Sequence, residues 1–325
     1  MTTSAQNPKL EKKMGLATRD AYGKELAALG EQNKKIVVLD GDLSKSTKTN
    51  IFGEKFPDRF YNFGIGEANI VGAASGMAAS GLIPICSSFS CFITCKGYDQ
   101  MRLAVAYSNM NVKVIASHGG ISVGEDGVSQ QSIEDFSLMV SLPNFVVLNP
   151  SDEYCAKSLV KQSVHEYVGP IFMRTGRPKA PIVHSPDQKF EIGKGIKLRD
   201  GKDIVIIATG LLVWEALEAH EQLKEKGIQA SVVDIHTLKP IDKELIIQEA
   251  KATGAVVTCE EHSIYGGLSS LVSQVLSAEC PTPQGYVAVE DTYAESGKPD
   301  DVMKKYGLTA QHIVEVVEKT IKKKI

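Results

Sequence analysis

Long apolar runs, a secretory leader, metal-type cysteine pairs and an excess of one charge are all missing from this chain. No stretch approaches the roughly 20 consecutive apolar residues of a helical membrane span, so no membrane partner is expected. Met1 to Lys13 is polar and holds no apolar core of the kind that directs export, so a cytoplasmic location is expected. Lysine and arginine number 36 against 39 aspartates and glutamates, a balance that argues against a nucleic-acid surface. The runs Lys12-Lys13 and Lys322-Lys323-Lys324 read as solvated ends. Six cysteines (Cys86, Cys91, Cys95, Cys155, Cys259, Cys280) include no Cys-x-x-Cys pair, and no His-x-x-x-His accompanies Cys91 and Cys95. Reduced thiols are therefore expected rather than disulfides or zinc, and no metal ligand is assigned to this chain.

What is present has the make-up of a globular enzyme of two domains: 325 residues, 43% hydrophobic and 23% charged. Short β-branched runs alternate with longer helical patterns, which predicts parallel α/β architecture. In the first half, strands are expected at Ile36–Leu39, Phe60–Phe63, Ile83–Ser87, Val112–Ser117, Phe145–Leu148 and Pro170–Arg174. Helices are expected between them at Thr18–Leu29, Ala68–Ser80, Tyr98–Ser108, Ile133–Met139 and Asp152–His165. Acidic Asp152 and Glu153 after Pro150 suit the positive end of the last helix. Three prolines, mixed charge and no periodicity between Arg177 and Lys194 predict a linker. The expected division is a polar tail over 1–14, a first domain over 15–177, a linker over 178–200 and a second domain over 201–325. In the second domain, strands at Ile204–Ala208, Ala230–Ile235, Ala255–Cys259 and Tyr286–Val289 alternate with helices.

Four segments of the first domain collect polar residues at predicted strand ends, where open parallel sheets place ligands. Leu39 to Thr47, "LDGDLSKST", offers two carboxylates and three hydroxyls that could bind a ligand or cap a helix. In "FGIGEANIVGAASGMAASG", Glu67 opens a helix of small residues, where the helix dipole alone would favour an acid. "SSFSCFITCKGYDQMR" sets Phe89 and Phe92 one helical turn apart, an ordinary core spacing. "SHGGISVGEDGVSQQSIEDF" places His118, Asp126 and Gln130 in a glycine-rich loop longer than a structural connection needs.

Singly these segments indicate an α/β enzyme with a polar site. Their order, together with "ATRDAYGKELAALG", "FMRTGRP" and "VVDIHTLKPID", resembles the pyrimidine-binding and C-terminal domains of transketolase. The likeness runs from about Gly15 to the C-terminus and is greatest with the animal type and the bacterial split type. The fold it implies is two parallel-sheet domains, a thiamine-diphosphate pyrimidine-binding fold followed by a smaller C-terminal domain. The activity it implies is transfer of a two-carbon ketol unit from a ketose phosphate to an aldose phosphate.

The resemblance also implies roles. Glu67 would hydrogen-bond N1′ of the thiamine diphosphate aminopyrimidine, the contact through which the cofactor's own amino group can act as base. Phe89 and Phe92 would stack on that ring, and Asp42 would lie near the thiazolium. Arg19, Ser46 and Arg174 would hold the sugar phosphate, since a guanidinium fork matches phosphate oxygens. His118 would bond the phosphate or donor, and Asp126 the acceptor hydroxyl. Gln130 stands where microbial and plant members carry a histidine; an amide can orient but cannot shuttle a proton. Glu260, Glu261 and His262 are expected to be structural, and the second domain to take no part in the chemistry.

Against a deoxyxylulose phosphate synthase stands the animal-like loop with Asp126. Against a non-catalytic paralogue stand the retained Glu67, aromatics and arginines. The family binds the diphosphate and Mg2+ through Gly-Asp-Gly followed about thirty residues later by Asn, a pattern absent here. Met1 falls about where the second domain of the animal enzyme begins. A partner N-terminal subunit carrying the pyrophosphate site and Mg2+ ligands is therefore expected. The expected assembly is an α2β2 heterotetramer, with self-association through both domains of this chain.

Overall fold

The computed structural model describes residues 10–324; most of the expected polar tail lies outside them. Among the described residues, fourteen strands are distributed over three sheets. The first half supplies β1 (Met14–Ala17), β2 (Ile36–Asp40), β3 (Phe60–Asn62), β4 (Ile83–Ser87), β5 (Lys113–Ser117), β6 (Val146–Leu148) and β7 (Ile171–Thr175). The remainder supplies β8 (Lys179–Pro181), β9 (Ile196–Arg199), β10 (Ile204–Ala208), β11 (Ala230–Asp234), β12 (Thr237–Lys239), β13 (Val256–Ser263) and β14 (Gln284–Val289).

The first sheet has the order β12-β6-β7-β5-β4-β2-β3 and is parallel except for β12, which runs against β6. Its strands are apolar on both faces because helices cover both. Val37, Leu39, Val114 and Phe172 enter one core with Ile70 and Val71 of the helix Glu67–Ala79. Ile36, Val38, Ile115 and Met173 enter the other, with Tyr22 and Leu26 of the helix Thr18–Gln32 and Leu159 of the helix Glu153–His165. Asp152 caps the last of these, its carboxylate accepting from the Cys155 N–H at 2.9 Å.

The second sheet has the order β14-β13-β10-β11-β9, parallel but for β9. It divides the apolar residues in the same way: Ile204 and Ile206 face one core, Val205 and Ile207 the other. All ten strands expected from sequence form, two of them with the expected ends and the others with an end displaced by at most four residues. β1, β8, β9 and β12 are additions. Each is three or four residues long and carries too little alternation to register as a strand.

Two of these additions change how the halves are joined. Strand β12 lies beyond β11 in sequence yet forms the edge of the first sheet. Residues 178–200 hold β8, β9 and the buried His184, whose Nε2 lies 2.8 Å from Asp234 Oδ2. Ser151 Oγ donates to the same Asp234 oxygen at 2.7 Å, so a buried polar contact ties the first half to β11. The helix expected over Tyr98–Ser108 is a single α-turn followed by a π-helix at Met101–Tyr107, with Met110 N–H bonding back to the Val105 carbonyl.

Candidate active site

The site forms at the carboxyl ends of β2, β3, β4, β5 and β7, where five loops leave the first sheet. The loop after β2 is built on Asp40. Its buried carboxylate accepts from the Leu43 N–H and from the Thr47 and Thr49 hydroxyls, each at 2.7 Å. Burial raises its pKa and these bonds oppose the rise. Asp40 therefore shapes the loop, and the Ser44–Thr47 turn presents the Ser46 carbonyl to Arg19 Nη1 at 3.0 Å.

Arg19 arrives at this place through β1. Strand β1 pairs antiparallel with β8, Ala17 opposite Lys179, and Thr18 Oγ1 accepts from the Gly176 N–H at 2.7 Å. This pairing sets Arg19, in the first turn of its helix, beside the loop that follows β7. Its Nε is buried and has no acceptor among the described residues.

His118 follows β5 directly, in a left-handed conformation with φ of 61°. Nδ1 lies 2.8 Å from Ser117 Oγ and Nε2 lies 3.3 Å from Arg19 Nη1. Arginine can only donate, so Nε2 must be the acceptor and the ring proton sits on Nδ1. Burial pushes the His118 pKa down to about 3, and Arg19, Arg177 and Lys48 push the same way. The ring is therefore a neutral imidazole in a field of three cations, suited to holding Arg19 in place and not to delivering a proton.

The parallel bridge between Phe89 and Ser117 extends β4 alongside β5 and brings Phe89 against His118. Phe92, one turn on, stacks on Phe89 with centroids 5.6 Å apart. Phe92 is half-buried and its outer face is covered by Lys96, whose Nζ lies 4.6 Å from the ring centroid.

Glu67 opens its helix as expected and is 3% exposed. Its contacts with Ser88 Oγ at 3.5 Å and Lys96 Nζ at 4.0 Å are too long to satisfy a buried carboxylate. An unsatisfied acid beside stacked aromatics fits the edge and face of an aminopyrimidine. Asp42 stands apart from the His118 group. Exposed and left-handed, it accepts from Asn62 Nδ2 at 2.9 Å, and Asn62 Oδ1 in turn holds the Gly64 N–H of the turn that leads to Glu67. Asp126 is exposed at the end of the short turn Gly124–Asp126 and acts electrostatically on Arg19. Gln130 is half-buried, its Oε1 accepting from Ser129 Oγ at 2.5 Å.

Arg174 requires a correction. It is 3% exposed and its guanidinium is directed inward. Nη2 donates to the carbonyls of Ser132 and Glu261, at 3.0 and 2.9 Å, and Nε lies 3.3 Å from Asp135 Oδ2. A group so enclosed is not placed to grip a substrate phosphate. Arg177 is. It is half-buried, bonds Val123 O and Glu125 Oε2 through Nη1 alone, and acts electrostatically on Arg19 and His118. Strand β7 runs one residue past the expected end at Arg174, so Arg174 lies within the strand, whereas Arg177 lies just beyond its carboxyl end. Lys48, ion-paired with Asp20 at 3.4 Å, is the other cation that sequence reading overlooked.

Glu260 serves structure, as expected, accepting from the Leu268 and Ser269 N–H groups at 2.7 Å each. Glu261 does not stay within its own domain. Its Oε1 accepts from the Ser122 N–H at 2.5 Å, in the loop that carries His118.

Comparison with known proteins agrees with this architecture. Residues 14–182 match the transketolase pyrimidine binding domain and residues 193–313 the transketolase C-terminal domain. A transketolase C-terminal section from Methanocaldococcus jannaschii is 43% identical over 94% of this chain and 96% of its own length. Human transketolase is 37% identical over 95% of this chain, which spans about half (49%) of that protein. A solved split-gene transketolase, described as an inactive β4 tetramer, superposes with a TM-score of 0.90. It is 47% identical, over 96% of this chain and 100% of that one. The chain belongs to the transketolase family.

Proposed function

We propose that this chain is the pyrimidine-binding subunit of a two-part transketolase that moves a two-carbon ketol unit from a ketose phosphate to an aldose phosphate. The observation that carries the reading is a buried, unsatisfied Glu67 beside the Phe89–Phe92 stack, in the same site as a cluster of Arg19, Lys48, Arg177 and neutral His118. Thiamine diphosphate supplies, when bound, the nucleophilic carbon for the transfer. Glu67 is suited to hold a proton at its carboxyl oxygen against a ring nitrogen. Phe89 and Phe92 provide a face that excludes water. Arg19 and Arg177 bind the terminal phosphate, with fixed charges that need no proton balance. Asp126 and Gln130 orient hydroxyl groups of the sugar, and Asp42 steadies the turn before Glu67.

The diphosphate and Mg2+ would be held by a partner N-terminal subunit, in an α2β2 heterotetramer in the cytoplasm. The division into domains over 15–177 and 201–325 belongs to the same proposal. The small-residue helix supports a protein partner there: an added Cβ at Gly72 or Gly76 would meet no atom within 4 Å. The test is reconstitution. Alone, with thiamine diphosphate and Mg2+, the purified chain should show no turnover. A subunit carrying the Gly-Asp-Gly motif should restore it, saturating at equal molar amounts. Turnover by this chain alone, verified free of host enzyme, overturns the two-part reading.

A further inference from the structure

The loop that presents His118, Asp126 and Gln130 is hydrogen-bonded to the second domain at Ser122, Glu125, Gln131 and Ile133. We propose that Glu261, seated beside Arg174, is a positioning residue for this loop, so that the second domain sets the geometry of the substrate site. The inference rests on the reading of the site given above.

Contact between the pair and the loop is direct. A Cβ added to Gly119 would lie 1.8 Å from Arg174 Nε, and one added to Gly120 would lie 2.2 Å from the Glu261 carboxyl. Only bare backbone fits there, so the two glycines after His118 rest on Arg174 and Glu261. Gly120 also has φ of 81°, which a larger residue would resist. From this seat Glu261 takes the Ser122 N–H, and its own carbonyl takes Arg174 Nη2. The same Nη2 holds the Ser132 carbonyl, to which the Gly120 N–H also donates at 2.7 Å. The two stems of the loop thus meet at the Ser132 carbonyl, which Arg174 holds.

From Arg174 the connection reaches the aromatic pair. Its ion-pair partner Asp135 is fully buried and accepts from Ser90 Oγ at 2.6 Å, and Ser90 lies between Phe89 and the turn that carries Phe92. Further along, the second domain meets the loop again. Gln131 Nε2 donates to Glu295 O at 3.1 Å, Ser296 Oγ donates to Glu125 O, and Ser263 N–H donates to Ile133 O at 2.9 Å. A buried carboxylate and guanidinium bonded to backbone are costly to place unless every partner is met. Here the partners are the turns of a substrate loop, which gives the polar pair a reason to be there.

Two readouts test this. In the full-length chain, without cofactor or partner, hydrogen exchange should rise at least about tenfold over residues 119–132 in Glu261→Ala, while Glu261→Gln, which keeps an acceptor for Ser122, stays near wild type. In the reconstituted enzyme, Glu261→Ala should raise KM for a ketose phosphate by roughly tenfold with kcat changed by less than about threefold, and Glu261→Gln should recover most of the loss. A folded Glu261→Ala with wild-type exchange in the loop and unchanged KM overturns the proposal. So does a uniform loss of stability without local loosening of the loop. Should Glu261→Ala fail to fold, Glu261→Met, which fills the space without an acceptor for Ser122 and leaves the Arg174–Asp135 pair intact, carries the same two readouts. If the reconstituted wild type shows no transketolase activity, the reading of the site fails while the exchange data still decide the role of Glu261.

Discussion

His118 lies flat on Phe89, ring centroids 3.8 Å apart and planes 23° from parallel. The imidazole that faces the cation cluster is therefore packed on the same aromatic that begins the pyrimidine platform. On the proposed reading of the site, the sugar-phosphate and cofactor subsites share a wall, and a change to either side of it should be felt by the other.

The first prediction concerns Glu67. Glu67→Gln keeps size and burial but cannot share a carboxyl proton with a ring nitrogen. In the reconstituted enzyme, exchange of the thiazolium C2 proton with D2O should fall by roughly three orders of magnitude, about 4 kcal/mol of barrier. Exchange at the wild-type rate would remove Glu67 from this role.

A second prediction separates the two arginines. Arg177→Ala should raise KM for phosphorylated donors by about ten- to a hundredfold and leave hydroxypyruvate nearly untouched, because only the former carries the anion it meets. Arg174→Ala should act on the fold instead, stranding buried Asp135 at a cost of about 3–5 kcal/mol in urea unfolding. Equal KM effects on both donor types in Arg177→Ala would count against a phosphate contact.

His118 makes a third case, read by pH. Its folded pKa of about 3 lies below the ordinary value of 6.5. Between these values the unfolded chain binds the extra proton, so stability falls as pH drops through this window. His118→Gln removes that penalty. Relative to neutral pH, its loss of stability at pH 4.5 should be roughly 2 kcal/mol smaller than that of the wild type. In the wild type, the NMR signal of His118 should show no titration between pH 5 and 8.

Lys113 behaves in the same sense at higher pH. Fully buried at the start of β5, it donates to the Tyr167 and Gly169 carbonyls at 3.0 and 2.7 Å, and burial lowers its pKa to about 7. Since the unfolded amine retains its proton up to about pH 10, the folded state gains as pH rises above 7. The wild type should gain about 2 kcal/mol more than Lys113→Met between pH 7 and 9, measured by denaturant unfolding. Parallel pH profiles would show that the amine is not perturbed.

Much of this was legible in the order of residues. Runs such as Ile204–Ala208, apolar on both faces, require a sheet covered on both sides, and the alternation of strand and helix then makes it parallel. Glu67 at a helix start after a glycine turn, Phe89 and Phe92 one turn apart, and His118 at a strand end are local facts, set by the period of the chain and by where strands stop. What the sequence could not decide is which polar groups turn inward. Arg174 and Arg177 are three apart and chemically identical. Only the position of the β7 end relative to the second domain makes one a buried strut and leaves the other beside Arg19. Arg19 itself reaches the site through the pairing of β1 with β8, across more than 150 residues. Glu261 reads from sequence only as a structural residue of the second domain, yet it bonds the loop that carries His118. Sequence period fixes the face a side chain takes within its own element. Its partner depends on how separate elements pack, and that is settled by the burial of both cores together.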